Sequence, residues 1–194
     1  MSSQQKIHLS ISLAVGLTLS AVASAAAAQG ASSPSAMKAS AMVPAADTAF
    51  AHKAAIGGLA EVELGKLAQQ KGASDQVKQF GSRMVDDHSK ANDELKQIAS
   101  AKSITLPTDL DAKHKNKMAK MQKLSGAQFD RAYMDDMVAD HKEDVADFKK
   151  ESSAGRDNDL KSFAAKTLPT LEDHLKMAQS TDAAVKGAKS TAKP

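Results

Sequence analysis

The chain has 194 residues, with 26 basic side chains against 23 acidic ones, no cysteine and only 3% aromatic residues. Without cysteine there can be no disulfide, no thiolate ligand, no thiol catalysis and no lipid anchor on an N-terminal cysteine. A net charge of only +3 and so few aromatics leave no stacking platform for bases, so nucleic acid is not an expected partner.

The N-terminus has the pattern of an export signal. Lys6 supplies a positive start, and Leu9 to Ala23 is apolar but short and rich in small residues. Cleavage sites of the small-x-small type follow at Ala23-Ser24-Ala25 and Ala26-Ala27-Ala28. Residues 1–28 are therefore expected to be a signal peptide and the mature chain to be periplasmic; an uncleaved anchor is the alternative. Outer-membrane association is a further expectation. Residues 29–46 are rich in Ala, Ser and Pro and read as a linker. Residues 47–180 read as one helical domain, and the lysine-bearing 181–194 as a flexible basic tail.

Within the domain the apolar residues recur at three- and four-residue spacing, with no convincing alternation of period two. A first helix is predicted from Asp47, as N-cap, to Lys71, stopped by Gly72. Gly57-Gly58 inside it implies close approach of a neighbouring helix, since each glycine costs up to about 1 kcal/mol relative to alanine. The second helix is predicted from the Ser74 cap to about Lys102. A connection of more than twenty residues follows. Leu110, His114, Met118 and Met121 have helical spacing there, so it is expected to contain a short helix capped by Thr108. Lys113, Lys115, Lys117, Lys120 and Lys123 make that helix basic, a solvated face or a contact for an acidic envelope polymer.

The third long helix is predicted to open at Ser125 through a capping box with Gln128 and to end at Gly155. The fourth runs from Asp157 to Ser180, with a kink or break near Leu168 because Pro169 follows. Two hairpins joined by a long crossover make the expected fold all-α, a ferritin-like four-helix bundle. A weak internal repeat agrees: Val77-Lys78-Gln79-Phe80 is echoed by Leu160-Lys161-Ser162-Phe163.

The dipeptide Asp-His occurs three times, as Asp87-His88, Asp140-His141 and Asp173-His174, in a chain with six histidines. His88 lies in the apolar stripe Val77, Phe80, Met84, Ala91, Leu95, Ile98, and His141 in the stripe Met134, Val138, Val145, Phe148. His174 falls inward or at an edge. On the first helix the stripe Ile56, Leu59/Ala60, Leu67 places Glu63 inward and Glu61 to one side. Glu63, His88, His141 and His174 are thus candidate ligands of a transition-metal ion in a bundle core. Counting from the turns places them in one layer only loosely. Side chains adjacent in sequence diverge by about 100° on a helix, so Asp87, Asp140 and Asp173 can only support an imidazole of a neighbouring helix. The competing reading is a metal-free structural or interaction protein whose histidines hydrogen-bond across the core. Met84 and Met137, one turn before a histidine, are core filler, or with histidine would suit copper or haem. His52 and His114 are expected at the surface. An enzyme is the third reading, because no nucleophile elbow, phosphate loop or zinc-protease motif is present.

Gly57-Gly58-Leu59-Ala60-Glu61-Val62, the run Met84 to Asn92, Phe129 to Met134, Asp140-His141, and Thr167 to Leu171 with Asp173-His174 resemble a bacterial family, the domain of unknown function four-one-four-two. Its members are often labelled predicted outer membrane protein. The resemblance covers Asp47 to Gln179. It implies a ferritin-like bundle in the periplasm and no established activity; a stress- or envelope-related binding role is the expectation. A carboxylate di-iron site does not carry over. Such a site needs Glu three residues before His, and Val85, Val138 and Leu171 stand there instead.

Overall fold

The computed structural model describes residues 42–191, and every regular element among them is an α-helix. These are α1 (Ala45–Lys71), α2 (Asp75–Ala101), α3 (Ala112–Gln122), α4 (Gly126–Ala154) and α5 (Asn158–Thr191). The expected signal segment and all but the end of the 29–46 linker lie outside the described residues, as do the last three residues of the tail. No described helix is long and apolar enough to cross a membrane.

Side chains at the helix starts explain most boundaries. Ser74 accepts from the Gln76 amide at 3.2 Å, Asp111 from His114 at 2.8 Å, and Asp157 from Leu160 at 3.1 Å. Each satisfies an amide that has no partner within its own helix. The crossover helix is thus capped by Asp111, three residues later than the expected Thr108. Ser125 is the N-cap of α4 but makes no side-chain cap bond, so the expected capping box does not form. Gly126 follows with φ of 58°, a left-handed turn that suits glycine.

Asp47 is not the cap of α1, which begins at Ala45 after Pro44. It lies in the first turn, almost fully buried, and accepts from the amides of Arg156 at 2.8 Å and Asp157 at 2.5 Å in the α4–α5 turn. Asp130, one turn into α4, does the same for the α1–α2 turn, accepting from Ala73 at 2.9 Å and Ser74 at 2.8 Å. Each hairpin thereby caps the turn of the other.

These contacts settle the directions. α1 and α2 pack as one hairpin and α4 and α5 as another, with α1 also against α4 and α2 against α5. The start of α1 meets the end of α4, and Lys102 after α2 pairs with Asp157 and Asp159 at the start of α5, both at 2.7 Å. Both cross-hairpin neighbours are therefore antiparallel. The connection from α2 to α4 must return along the bundle, and α3 lies on that path against α1 and α4.

α5 continues through Pro169 without a break in the helix and on past Ser180, its expected end, to Thr191. A proline forgoes one backbone hydrogen bond, and here Phe163 and Leu171 are both buried on either side of it. Beyond Ser180, Val185 packs on the core, and Lys186 bridges Asp135 of α4 at 2.5 Å and Asp182 at 2.7 Å.

The core is two apolar clusters with a polar layer between them. One gathers Leu64, Phe80, Met84, Phe129, Tyr133, Met134 and Met137; the other gathers Ala51, Leu95, Phe148, Leu160, Phe163 and Leu171. Burial of each large apolar side chain contributes about 1.5–3 kcal/mol. Met84 and Met137 belong to the first cluster and are fully buried in it, so they are packing residues. The buried face of α1 includes Ala55, Gly58, Ala60, Glu61, Leu64, Leu67 and Ala68; of the expected stripe Ala60 and Leu67 are buried, while Ile56 and Glu63 are not. α1 and α2 touch backbone to backbone where a Cβ on Gly65 would stand 2.6 Å from the Gly81 carbonyl oxygen.

Candidate metal centre

The polar layer is made by His88 of α2, His141 of α4 and His174 of α5, which are 6%, 0% and 1% exposed. Each lies near the middle of its helix, and in this up-down-down-up arrangement the three mid-points coincide in height. One nitrogen from each ring lies within 4.8 Å of the others. Ring centroids are 5.8 Å apart for His88–His141 and 5.4 Å for each pair with His174. The loose layer expected from residue counting is thus tight.

Hydrogen bonds fix the tautomers of two rings. The Nδ1–H of His141 donates to the Met137 carbonyl at 2.9 Å, one turn back on α4. The Nε2–H of His174 donates to Oδ2 of Asp87 on α2 at 3.0 Å. Both acceptors lack a proton to give, so the lone pairs remain on His141 Nε2 and His174 Nδ1. Those two atoms, with His88 Nε2, are buried and have no hydrogen-bond partner. Burial also keeps the rings neutral. The pKa of His141 falls to about 4, chiefly through desolvation and then through His174. Burial pushes His88 well below its ordinary value, helped by its two neighbours. His174 is lowered by burial despite Asp87. Neutral imidazoles with free lone pairs are the form that binds metal.

Glu63, the expected fourth member, is not inward. It is an exposed residue that pairs with Lys66 at 2.7 Å. The carboxylate in the core is Glu61, 2% exposed, with Oε1 4.0 Å from His141 Nδ1 and Oε2 without a partner. Burial first, then Asp144 and Asp140, hold Glu61 toward its neutral form, so this contact is not an ion pair. Glu61 lies on the Nδ1 side of His141 and is not part of the three-histidine set. α1 is so rich in Ala and Gly that its hydrophobic contrast cannot tell position 61 from 63.

Of the three aspartates, only Asp87 supports an imidazole, and it does so across helices as expected. It is also held by Arg83. Asp140 is taken by Lys117 at 2.5 Å, and the exposed Asp173 by Lys176 at 3.1 Å. The basic row of α3 is largely engaged by the chain's own acids. Lys117 also meets Asp136 at 2.7 Å, Lys115 meets Asp109 at 2.5 Å and Lys113 meets Glu143 at 4.0 Å. His114 is not a plain surface residue. It binds Asp111 at 2.7 Å and lines a cavity of about 40 Å³ with Glu61, Gly57, Asp140 and Asp144. Two features of the chain mark this cavity: the Gly57-Gly58 pair, which lets a neighbour approach closely, and Asp144 one turn after His141.

A family model described as domain of unknown function (DUF4142) matches residues 32–181, so the chain belongs to that family. No curated protein matches. Among solved structures, one described as the crystal structure of a DUF305 fragment from Deinococcus radiodurans is similar, with a TM-score of 0.64. The likeness covers 73% of this chain and 97% of that one at 10% identity, and it concerns the fold alone.

Proposed function

We propose that this member of the family is an exported protein of the bacterial cell envelope that binds one transition-metal ion between His88, His141 and His174. Its helices are connected in the ferritin-like order, two antiparallel hairpins with a long crossover, without the carboxylate pairs of a di-iron site. One observation carries the reading: three buried histidines from three helices offer ring nitrogens within 4.8 Å of one another, and each of the three rings has a buried nitrogen without a partner. An unpaired buried polar atom costs on the order of 1–3 kcal/mol, so three at one point indicate a missing partner. Imidazole suits zinc, copper, iron or nickel. A tetrahedral ion with bonds of about 2.1 Å spans nitrogens about 3.4 Å apart, so the set contracts by roughly 1 Å on loading. A fourth position is left to water or an exogenous group, and a role in stress defence through metal binding fits an envelope protein.

The test is metal content of the chain purified from the periplasm. About one ion per chain is expected, falling to background in His88→Ala/His141→Ala. Content well below one, unchanged by the substitutions, overturns the reading. A metal-free structural role is favoured only by the His174–Asp87 bond between α5 and α2; it would show as lost thermal stability without any change in metal.

A further inference from the structure

The histidine layer is closed on most sides. The two apolar clusters lie above and below it, and the Asp87–Arg83 pair covers His174. Toward the α1–α4 cleft the packing is different. A cavity of about 20 Å³, room for one water-sized particle, is lined by His88, Gly58, Asn92 and Asp144. A second, of about 40 Å³, is lined by Gly57, Glu61, His114, Asp140, Glu143 and Asp144. A third, of about 280 Å³, lies toward the start of α1 and also has Asp144 in its wall. Asp144 is the carboxylate common to all three.

The chemistry of the cleft favours a cation. Four acidic side chains, Glu61, Asp140, Glu143 and Asp144, line the 40 Å³ cavity with Lys53 and Lys113, and Lys117 holds Asp140 at 2.5 Å. Lys53 is already held by Glu143 and Asp147, each at 2.5 Å. Glu61 adds an independent sign of a ligand, since it is almost wholly buried and its Oε2 has no partner. Gly57 and Gly58 keep the α1 side open. A Cβ on Gly57 would stand 3.9 Å from Asp144 Oδ1, and one on Gly58 would strike the Asn92 side chain.

We propose that Asp144 and Glu61 form a transient site for a divalent metal ion in the α1–α4 cleft, from which the ion passes under Asp144 to His88 and its two partner histidines. This rests on the metal reading above. Carboxylate oxygens replace part of the hydration shell, and the softer imidazole set then retains the ion. An acid-lined cleft with low-dielectric walls raises the local cation concentration and hence the loading rate.

The test follows zinc uptake by the metal-free full chain in a stopped-flow instrument, with a chromophoric zinc chelator reporting free metal. Asp144→Asn should load roughly tenfold more slowly, the low end of what charge focusing adds to an on-rate, and reach the same final stoichiometry. Gly57→Leu obstructs the cleft without removing a charge, favours the helix, and should slow loading similarly. Glu172→Gln, exposed on α5, should behave as the unsubstituted chain. If Asp144→Asn and Gly57→Leu both load at the unsubstituted rate to full stoichiometry, the route is wrong while the histidine site stands. If the unsubstituted chain takes up no zinc, the site fails and the route fails with it.

Discussion

His174 of α5 donates its Nε2–H to Oδ2 of Asp87 on α2 across 3.0 Å. Asp87 is the sequence neighbour of His88, yet it serves the histidine of another helix. Against the cost of burial, the hydrogen bonds from Arg83 and His174 hold its carboxyl below the usual value. The pair therefore locks one tautomer of His174 and leaves its buried Nδ1 without a proton or a partner. Long-range nitrogen–proton NMR correlations should show His174 as the Nε2–H tautomer. Asp87→Ala should convert it to a mixture; an unchanged tautomer would mean that Asp87 does not set it. If the site holds metal, the same substitution should weaken binding about 10- to 100-fold.

Stability should depend on pH in two opposed ways. His141 has a folded pKa of about 4 against 6.5, so its contribution is complete above pH 6.5 and is lost as pH falls toward 4. At about 1.4 kcal/mol for each pKa step this is about 3 kcal/mol for the one ring. Asp144 runs the other way. Burial, then Asp140 and Asp147, raise it from 3.8 to about 7, so its contribution is present below 3.8 and lost as pH rises to about 7. Between pH 4 and 7 the melting temperature of the metal-free chain should rise more with pH in Asp144→Asn, and fall more with pH in His141→Gln, than in the unsubstituted chain. Parallel curves for all three would show that neither group is shifted.

Glycines at helix contacts should differ in sign. A Cβ on Gly65 meets the Gly81 carbonyl at 2.6 Å, so Gly65→Ala forces α1 and α2 apart and should cost about 1–3 kcal/mol. Gly57→Ala meets only Asp144 at ordinary contact distance and should gain up to about 1 kcal/mol from helix propensity. Urea midpoints decide it, and equal effects would contradict the backbone contact.

The two cross-hairpin caps should act independently. Asp47→Ala and Asp130→Ala each remove a carboxylate that accepts two backbone amides. Each should cost about 1–2 kcal/mol in chemical denaturation. Because they sit at opposite ends of the bundle, the double variant should equal the sum within about 0.5 kcal/mol. A clearly larger loss would show the hairpins to be coupled through their ends.

Periodicity alone was enough to place four long helices, the two short hairpin turns, the crossover helix and the inward histidines. A 3.6-residue pattern of large apolar side chains reports a face wherever those side chains are present, as on α2 with Val77, Phe80, Met84 and Leu95. α1 lacks that contrast, so its inward face, and with it the choice of Glu61 over Glu63, was decided by the close approach of α1 to α2 at Gly65 and Gly81. The capping roles of Asp47 and Asp130 depend on amides more than fifty residues away in sequence, which no local pattern encodes. Pro169 is the converse case: the local rule predicts a break, and packing on both sides of the residue overrides the loss of one hydrogen bond. The sequence alone determined that each of three helices carries a histidine at mid-length, His88 and His141 on a core face and His174 inward or at an edge. Only the antiparallel stacking of the two hairpins decided that those mid-points coincide, because the height of a residue in a bundle follows from the direction of its helix as well as its distance from the turn.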